Sequence, residues 1–396
     1  MKTFYHFFLL FVSFIFVFQN TVYETKDDQH FSLNSEAAIL IDGATGTILY
    51  EKESNRLMYP ASITKIVTGI IAIEEGNLDD IVTVSETARN VIGTRVYLLE
   101  GEQVTLLKLV QGLLINSGND AGTAIAEYFD GSEAQFAERM NQFVRDTVGV
   151  KNTNFQNPHG LFDEKHQTTA YDMAIITQYA MKNPIFRSIV GTKEMEWIGK
   201  GWETTLYNHN KLLWRYEGTT GVKNGYVSQS GNTLVASVKR GNSEWIAVTL
   251  KADSSELAYG DMVKLFDYGF EHFQTNKITL NPSAFESYID RFVIPEQLIF
   301  TSDKDEKFDI QIDDSAFLIV VLNFDGKKIY SKELEINNNK ELKRDNTEDP
   351  SIEKKAASSP FSTSITFMFM LILTVVILIL RKKRKQKKLS KQIFEN

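Results

Sequence analysis

One stretch limits what this chain can become: "YPASITKIVTGIIAIEEG", Tyr59 to Gly76. Ile63, Ile66, Val67, Ile70, Ile71 and Ile73 surround it, so it predicts a helix over 62–75 with hardly any polar face. Such a helix has to be enclosed by a core. The 396 residues, 43% of them hydrophobic, supply one and allow about two domains at roughly 150 residues each. Yet the first turn carries Ser62 and the second Lys65. At i and i+3 the two share a face, roughly 5–6 Å apart at Cβ. A buried lysine loses solvation, its pKa falls, and a neutral amine becomes accessible near neutral pH. That amine can take the proton of the neighbouring hydroxyl and make the serine a nucleophile, with the helix N-terminus adding partial positive charge. The competing reading is a lysine that snorkels from a helix end. S-x-x-K recurs at Ser351 to Lys354, in a polar segment with no buried helix around it.

Strand patterns flank this helix at a distance. Residues 36–50 read as a hairpin, "AAILID" and "TILYEK" about a Gly-containing turn. Helices are expected over 105–116, 119–130, 132–148 and 170–181. Strands are expected over 232–240 and 243–251, joined at Gly241-Asn242, and a last helix over 256–272 packs on them. A sheet assembled from distant pieces, with helices between, is an α/β layer arrangement. From Lys277 to Ile336 the chain is strand-rich, with a hairpin around Asp325-Gly326, and predicts a small β domain.

Two further polar stretches interrupt apolar surroundings. "INSGNDAG" (115–122) places Ser117, Asn119 and Asp120 between two apolar helical segments, where their side chains need partners. One reading is a helix cap by Asn119 or Asp120. "TTGVKNGYVSQSGNTLVAS" (219–237) brings Lys223 and Gly225 to the start or edge of a strand, where a glycine lets a ligand approach the backbone. The other reading is an Asn224-Gly225 hairpin turn. A second Ser-Gly-Asn, at 230–232, reads as a turn.

The ends speak to location. Lys2 precedes an apolar run from Phe7 to Phe18, the pattern of a secretory signal, cleaved or retained as an anchor. Residues 361–380, "FSTSITFMFMLILTVVILIL", carry no charge and at ~1.5 Å per residue span a ~30 Å hydrocarbon core. "RKKRKQKK" follows, a cytoplasmic stop-transfer segment by the positive-inside rule. Residues 381–396 hold eight Lys or Arg and one Glu, so the rest of this chain of net charge −8 is strongly acidic, which does not suit nucleic-acid binding. The absence of cysteine removes disulfides, zinc–cysteine sites and thiol catalysis. The six histidines show no H-E-x-x-H spacing, so no metal site is expected.

Taken in order, S-x-x-K, S-x-N and K-x-G resemble the motif series of the penicillin-binding and serine β-lactamase superfamily. The flanks "PASITKIVT", "SGNDAGTAIAEYFDGSEAQFAERMN", "NTNFQNPHGL", "TTAYDMA" and "NHNKLLW" closely resemble low-molecular-mass D-alanyl-D-alanine carboxypeptidases, from about residue 35 to 272. The resemblance implies a transpeptidase-like domain, an antiparallel sheet with flanking helices and a helical subdomain. It implies a signal peptide over 1–22, a catalytic domain over 35–275, a β domain over 276–337, a linker over 338–360, a membrane helix over 361–380 and a cytoplasmic tail over 381–396. Such a protein is expected at the cell membrane, single-pass, its catalytic domain outside. By the same resemblance Ser62 attacks a D-Ala-D-Ala peptide bond of peptidoglycan stem peptides, Lys65 is the base and Ser117 relays a proton to the leaving D-alanine. Asn119 binds the substrate amide and Lys223 the terminal carboxylate. The N–H groups of Ser62 and Tyr226 form the oxyanion hole. β-Lactams are the expected inhibitors, and no cofactor is implied.

The sequence departs from that family at one point. Where the family has K-T-G or K-S-G, this chain has Lys223-Asn224-Gly225, then Tyr226 and Val227. A hydrogen bond lost to a charged group costs ~1.5–3 kcal/mol, roughly ten- to a hundredfold in rate. A slower or differently selective enzyme is expected. The alternative is a relative that captures wall peptide or β-lactam with weak turnover, and a β-lactamase ranks behind both.

Overall fold

Strand β1 (Ala37–Asp42) is buried at every residue because its two faces meet two different cores. Ala37, Ile39 and Ile41 enter one, Ala38 and Leu40 the other, the period-two alternation of a strand sandwiched between layers. The computed structural model describes residues 32–337. The expected signal, linker, membrane helix and tail lie outside the described residues. Among those described, no helix is long and apolar enough to cross a membrane.

After β1 and β2 (Ile48–Lys52) the chain leaves the sheet to build a helical layer. Its members are α1 (Lys65–Glu75), α2 (Leu106–Ile115), α3 (Asn119–Asp130), α4 (Glu133–Gln142) and α5 (Ala170–Ala180). It returns with β3 (Thr219–Val227), β4 (Gly231–Arg240), β5 (Ser243–Ala252) and α6 (Ser255–His272). The five strands pair antiparallel in the order β2-β1-β5-β4-β3. α6 covers one face through Tyr259, Met262, Leu265 and Phe266 against Leu40, Ala236 and Trp245. The helical layer covers the other, where Ile66, Val67, Ile70 and Ile71 of α1 are wholly buried among Leu109, Leu113 and Val248. The α/β fold with an antiparallel sheet and flanking helices is the one expected, and α3 occupies the expected residues.

Some local structure differs. The helix expected from 62 begins as a 3-10 turn, Ala61–Thr64, and becomes α-helical only at Lys65. The helix expected over 132–148 ends in a π turn, Phe143–Val148. Asn224-Gly225 is no turn. It lies inside the nine-residue β3, where Lys223 faces Val235 and Gly225 faces Thr233, and the chain reverses after Val227. Long-range pairing with β4 overrides the local turn preference. β3 is an edge strand, paired with another strand on one side only.

The later β domain begins with β6 (Phe273–Thr279), paired with β7 (Gln297–Asp303). β8 (Phe308–Asp313), β9 (Leu318–Asn323) and β10 (Lys328–Glu333) form a three-stranded antiparallel sheet with the hairpin at Gly326. Phe292, Leu298, Phe300, Ile319 and Val321 fill its core. Asp42, at the end of β1, ties it to the first sheet: its Oδ2 accepts from Thr275 Oγ1 and Thr301 Oγ1, each at 2.8 Å.

Candidate active site

The 3-10 turn changes how Ser62 meets Lys65. At three residues per turn, positions i and i+3 eclipse one another, which brings hydroxyl and amine into line. Several bonds hold the turn. Thr233 Oγ1 on β4 donates to Pro60 O at 2.8 Å, and Thr64 Oγ1 donates to Ala61 O at 2.8 Å. Behind Thr64 lies His166. Its Nδ1 accepts from Gln156 N, so the proton of the neutral ring sits on Nε2, 2.8 Å from Thr64 Oγ1. Burial takes the pKa of this ring down to about 3, which keeps it neutral and the bond direction fixed.

Lys65 is fully buried. Its Nζ lies 2.6 Å from His159 O, 2.8 Å from Asn119 Oδ1 and 3.1 Å from Ser62 Oγ. Two of these are carbonyl oxygens, which can only accept. A neutral amine has two N–H bonds and one lone pair. With both N–H bonds directed at the carbonyls, the lone pair faces the Ser62 hydroxyl. Burial lowers the Lys65 pKa well below that of an ordinary lysine, the charge of Lys223 lowers it further, and Asp120 opposes them. The snorkelling reading is excluded, since the amine does not reach solvent.

Asn119 is oriented from outside. Its Nδ2 donates to Ile92 O at 2.7 Å and its backbone N–H to Thr94 O at 2.7 Å, so Oδ1 is the atom left for Lys65. The helix-cap reading fails here. Gly118 is the N-cap of α3 and gives no side-chain bond, while Asn119 is the first helical residue. Ser117, buried, lies at the bend between α2 and α3 with φ 63°. The hydrogen bonds of both lysines go to partners other than Ser117.

β3 supplies the opposite wall. A Cβ on Gly225 would stand 2.5 Å from Ser62 N and 2.8 Å from Thr233 Oγ1, so only glycine lets this strand lie against the turn. Lys223 is 1% exposed, and burial brings its pKa down to about 7. Its Nζ donates to Asn224 O at 3.0 Å, with Asn224 Oδ1 at 3.5 Å. Tyr226 is largely exposed. Ser62, Lys65 and Asn119 are thus directly bonded, Gly225 abuts Ser62, and Lys223 is near enough for its charge to act on Lys65.

Sequence reasoning did not single out His159, His166, Ile92 or Thr233. Two of them act through backbone carbonyls, which any residue possesses. His209 also belongs to this cleft: burial first, then the charges of Lys223 and Lys65, hold its pKa down to about 4. Among the described residues no group of His, Cys, Asp or Glu could hold a metal ion.

A buried lysine at the start of a helix, facing a serine on the turn before it, is an arrangement that acyl-transfer enzymes with a serine nucleophile use. The profile of the peptidase family S11, described as D-alanyl-D-alanine carboxypeptidase, matches residues 22–254, and the chain belongs to that family. Its curated relatives include the D-alanyl-D-alanine carboxypeptidase DacF of Bacillus subtilis, 36% identical over 251 residues, 62% of this chain and 64% of the relative. DacD of Escherichia coli is 34% identical over 253 residues, 61% and 64% of the two chains. The matched stretch therefore spans just under two thirds of these relatives. Among solved structures, penicillin binding protein 6B of Escherichia coli has a TM-score of 0.67 at 28% identity, covering 78% of this chain and 97% of that one. The Streptomyces K15 DD-transpeptidase has a TM-score of 0.58 at 28% identity, covering 61% and 99%.

Proposed function

We propose that the chain is a serine-type D-alanyl-D-alanine carboxypeptidase that removes the terminal D-alanine from peptidoglycan stem peptides and is acylated by β-lactams. One observation carries the reading: the dry Lys65 amine, both its N–H bonds directed at carbonyls, is 3.1 Å from Ser62 Oγ. In this reading Lys65 takes the Ser62 proton as the hydroxyl attacks the penultimate D-alanine carbonyl. The N–H groups of Ser62 and Tyr226 receive the oxyanion, a kind of donor worth ~3–4 kcal/mol each in acyl transfer. Asn119 orients the substrate amide, and Lys223, with Asn224 beside it, attracts the terminal carboxylate to the β3 edge. Ser117 passes a proton to the departing D-alanine, and water then releases the acyl group from Ser62. An intact nucleophile and base speak against a relative that binds its ligand without acylation.

The protein would work outside the cell. A signal over 1–22 would export it, and the uncharged run 361–380 with its basic tail would hold it in the membrane once, C-terminus inside. In the same reading the catalytic domain covers 35–275, the β domain 276–337 and the linker 338–360.

The test is release of D-alanine from a pentapeptide ending in D-Ala-D-Ala, together with covalent labelling by a fluorescent penicillin. Both are expected of the wild type and absent from Ser62→Ala. No release and no labelling by the wild type would overturn the reading. Labelling without release would shift it to capture, and rapid cephalosporin hydrolysis to a β-lactamase.

A further inference from the structure

Asp120 bonds to none of the reacting groups, though its charge opposes the lowering of the Lys65 pKa, and it is wholly buried one residue from Asn119. A buried carboxylate needs several hydrogen bonds. One comes from its own helix, Ala121 N to Oδ1 at 3.0 Å. The others come from a loop more than twenty residues upstream. Val96 N lies 3.0 and 3.1 Å from its two oxygens, and Leu98 N lies 3.1 Å from Oδ2. Tyr97, between those two residues, adopts φ 56°. Val96 and Leu98 are buried beside the carboxylate while Tyr97 is exposed. The same loop supplies the two carbonyls that hold Asn119: Ile92 O takes its side-chain N–H and Thr94 O its backbone N–H. Arg95 O accepts in addition from Asn116 Nδ2 at 3.0 Å.

We propose that Asp120 is a positioning residue: by clamping the 92–98 loop it fixes the Asn119 amide, and with it the direction of the Lys65 lone pair. The inference rests on the serine carboxypeptidase reading. Its logic is one of donors and acceptors. Were the loop free, Ile92 O would no longer specify which end of the Asn119 amide faces Lys65. An inverted amide presents N–H to Nζ, which must then accept from it, and the lone pair is lost to Ser62. A carboxylate is required because backbone N–H groups converge on both oxygens, and an asparagine would turn N–H groups of its own toward one of them. Gly93 offers an independent handle. A Cβ there would stand 2.6 Å from Asn119 Nδ2, and at φ +90° it would also strain the backbone beside Ile92 and Thr94, so it disturbs the amide from the loop while the Asp120 carboxylate is intact.

The experiment uses full-length protein in detergent micelles and a fluorescent penicillin. It measures the rate of Ser62 acylation, the label per chain at completion, and hydrogen exchange at Val96 and Leu98. Asp120→Asn is expected to speed exchange at both amides and slow acylation about 10- to 100-fold, the scale on which a misplaced catalytic group costs rate. Labelling should still reach the wild-type level. Gly93→Ala is expected to slow acylation similarly, while the bonds of Val96 and Leu98 to Asp120 keep those two amides slower to exchange than in Asp120→Asn. A purely structural role would lower the final label with the folded fraction and leave the rate per labelled site unchanged, and that result overturns the proposal. So does wild-type acylation in Asp120→Asn, or in Gly93→Ala should Asp120→Asn not fold. Failure of the wild type itself to label would instead remove the carboxypeptidase reading.

Discussion

Lys223 and Lys65 lie buried in one cleft, and the positive charge of Lys223 makes a charge on Lys65 harder to hold. The proposed chemistry asks opposite things of them. Lys65 has to be neutral to accept a proton, and Lys223 charged to attract a carboxylate. The plot of kcat/KM against pH is therefore expected to be bell-shaped, rising as Lys65 loses its proton and falling as Lys223 does. In the free enzyme Lys223 titrates at about 7 because of burial. A bound carboxylate gives that ammonium a partner and raises its pKa, so the falling limb of kcat should lie at higher pH than that of kcat/KM. Paired pH profiles check this. Coincident falling limbs would separate Lys223 from the carboxylate.

Replacing Lys223 by methionine is expected to abolish activity and raise stability. Burial drives the Lys223 pKa from the ordinary 10.5 to about 7, so the folded state disfavours the ammonium. Between those values the unfolded chain binds more protons, and wild-type stability rises with pH. Lys223→Met lacks this dependence. Its advantage is largest below about pH 7 and shrinks as pH climbs toward 10.5. A gain of about 0.5–2 kcal/mol at neutral pH is the scale on which relief of a strained active site acts. Urea unfolding at several pH values measures it, and a pH-independent difference would contradict the argument.

Gly225→Ala tests the wall of the cleft. The added methyl meets Ser62 N at 2.5 Å and Thr233 Oγ1 at 2.8 Å, so strand and 3-10 turn have to part. A displacement of about 1 Å at a reacting centre can cost ~100-fold in rate. Penicillin acylation is expected to fall on that scale while far-UV circular dichroism remains that of the wild type, since the rest of β3 keeps its register with β4. Unchanged acylation would show that this contact does not set the position of Ser62.

The divide between what the sequence reveals and what it hides runs through this same wall. Helix α1, the apolar strands β1, β4 and β5, and the pairing of Ser62 with Lys65 follow from apolar patterning and spacing. The strand around Lys223 does not, because Asn224-Gly225 favours a turn locally and only pairing across Lys223 and Val235 keeps it extended. Nor does a four-residue 3-10 turn leave a mark in a 3.6-residue pattern. The two acceptors that orient Lys65 lie 54 and 94 residues away from it. One of them is the backbone carbonyl of His159, for which no residue type is diagnostic. Asp120 looks like a helix cap from the sequence because its partners, Val96 and Leu98, donate through backbone N–H groups. The helix Pro184–Gly191 and the hairpin Glu194–Ile198 with Glu203–Tyr207 have patterns too short to stand out.

Asn224→Thr is expected to speed acylation. Asn224 Oδ1 stands 3.5 Å from Lys223 Nζ, so the amide oxygen lies toward the lysine and takes up part of its donor capacity. A threonine hydroxyl both frees that ammonium for the substrate carboxylate and offers a donor of its own. One hydrogen bond to a charged group is worth ~1.5–3 kcal/mol, which corresponds to roughly a ten- to hundredfold gain in kcat/KM. Mass spectrometry of the penicillin adduct against time gives the acylation rates. Equal rates would mean that the cleft is already matched to asparagine.

Asp42→Ala probes the joint between the two sheets rather than the chemistry. The buried Asp42 carboxylate accepts from Thr275 Oγ1 and Thr301 Oγ1 through one oxygen and from Ala44 N at 2.8 Å through the other. Alanine leaves these three donors, and Thr45 N at 3.4 Å, without their acceptor, and an unsatisfied buried donor costs about 1–3 kcal/mol. Thr301 Oγ1 keeps Thr45 Oγ1 within 2.7 Å, so part of the loss is recovered and a net destabilisation of about 2–4 kcal/mol is expected. β6 and β7 should loosen first, because their tie to β1 runs through Asp42. Hydrogen exchange is therefore expected to rise in 273–303 before it rises in α1. Penicillin acylation of Ser62 should hold its wild-type rate, since none of the bonds around Lys65 involves this joint. Uniform exchange across both regions, or acylation lost in step with it, would show the two sheets opening as a single cooperative unit.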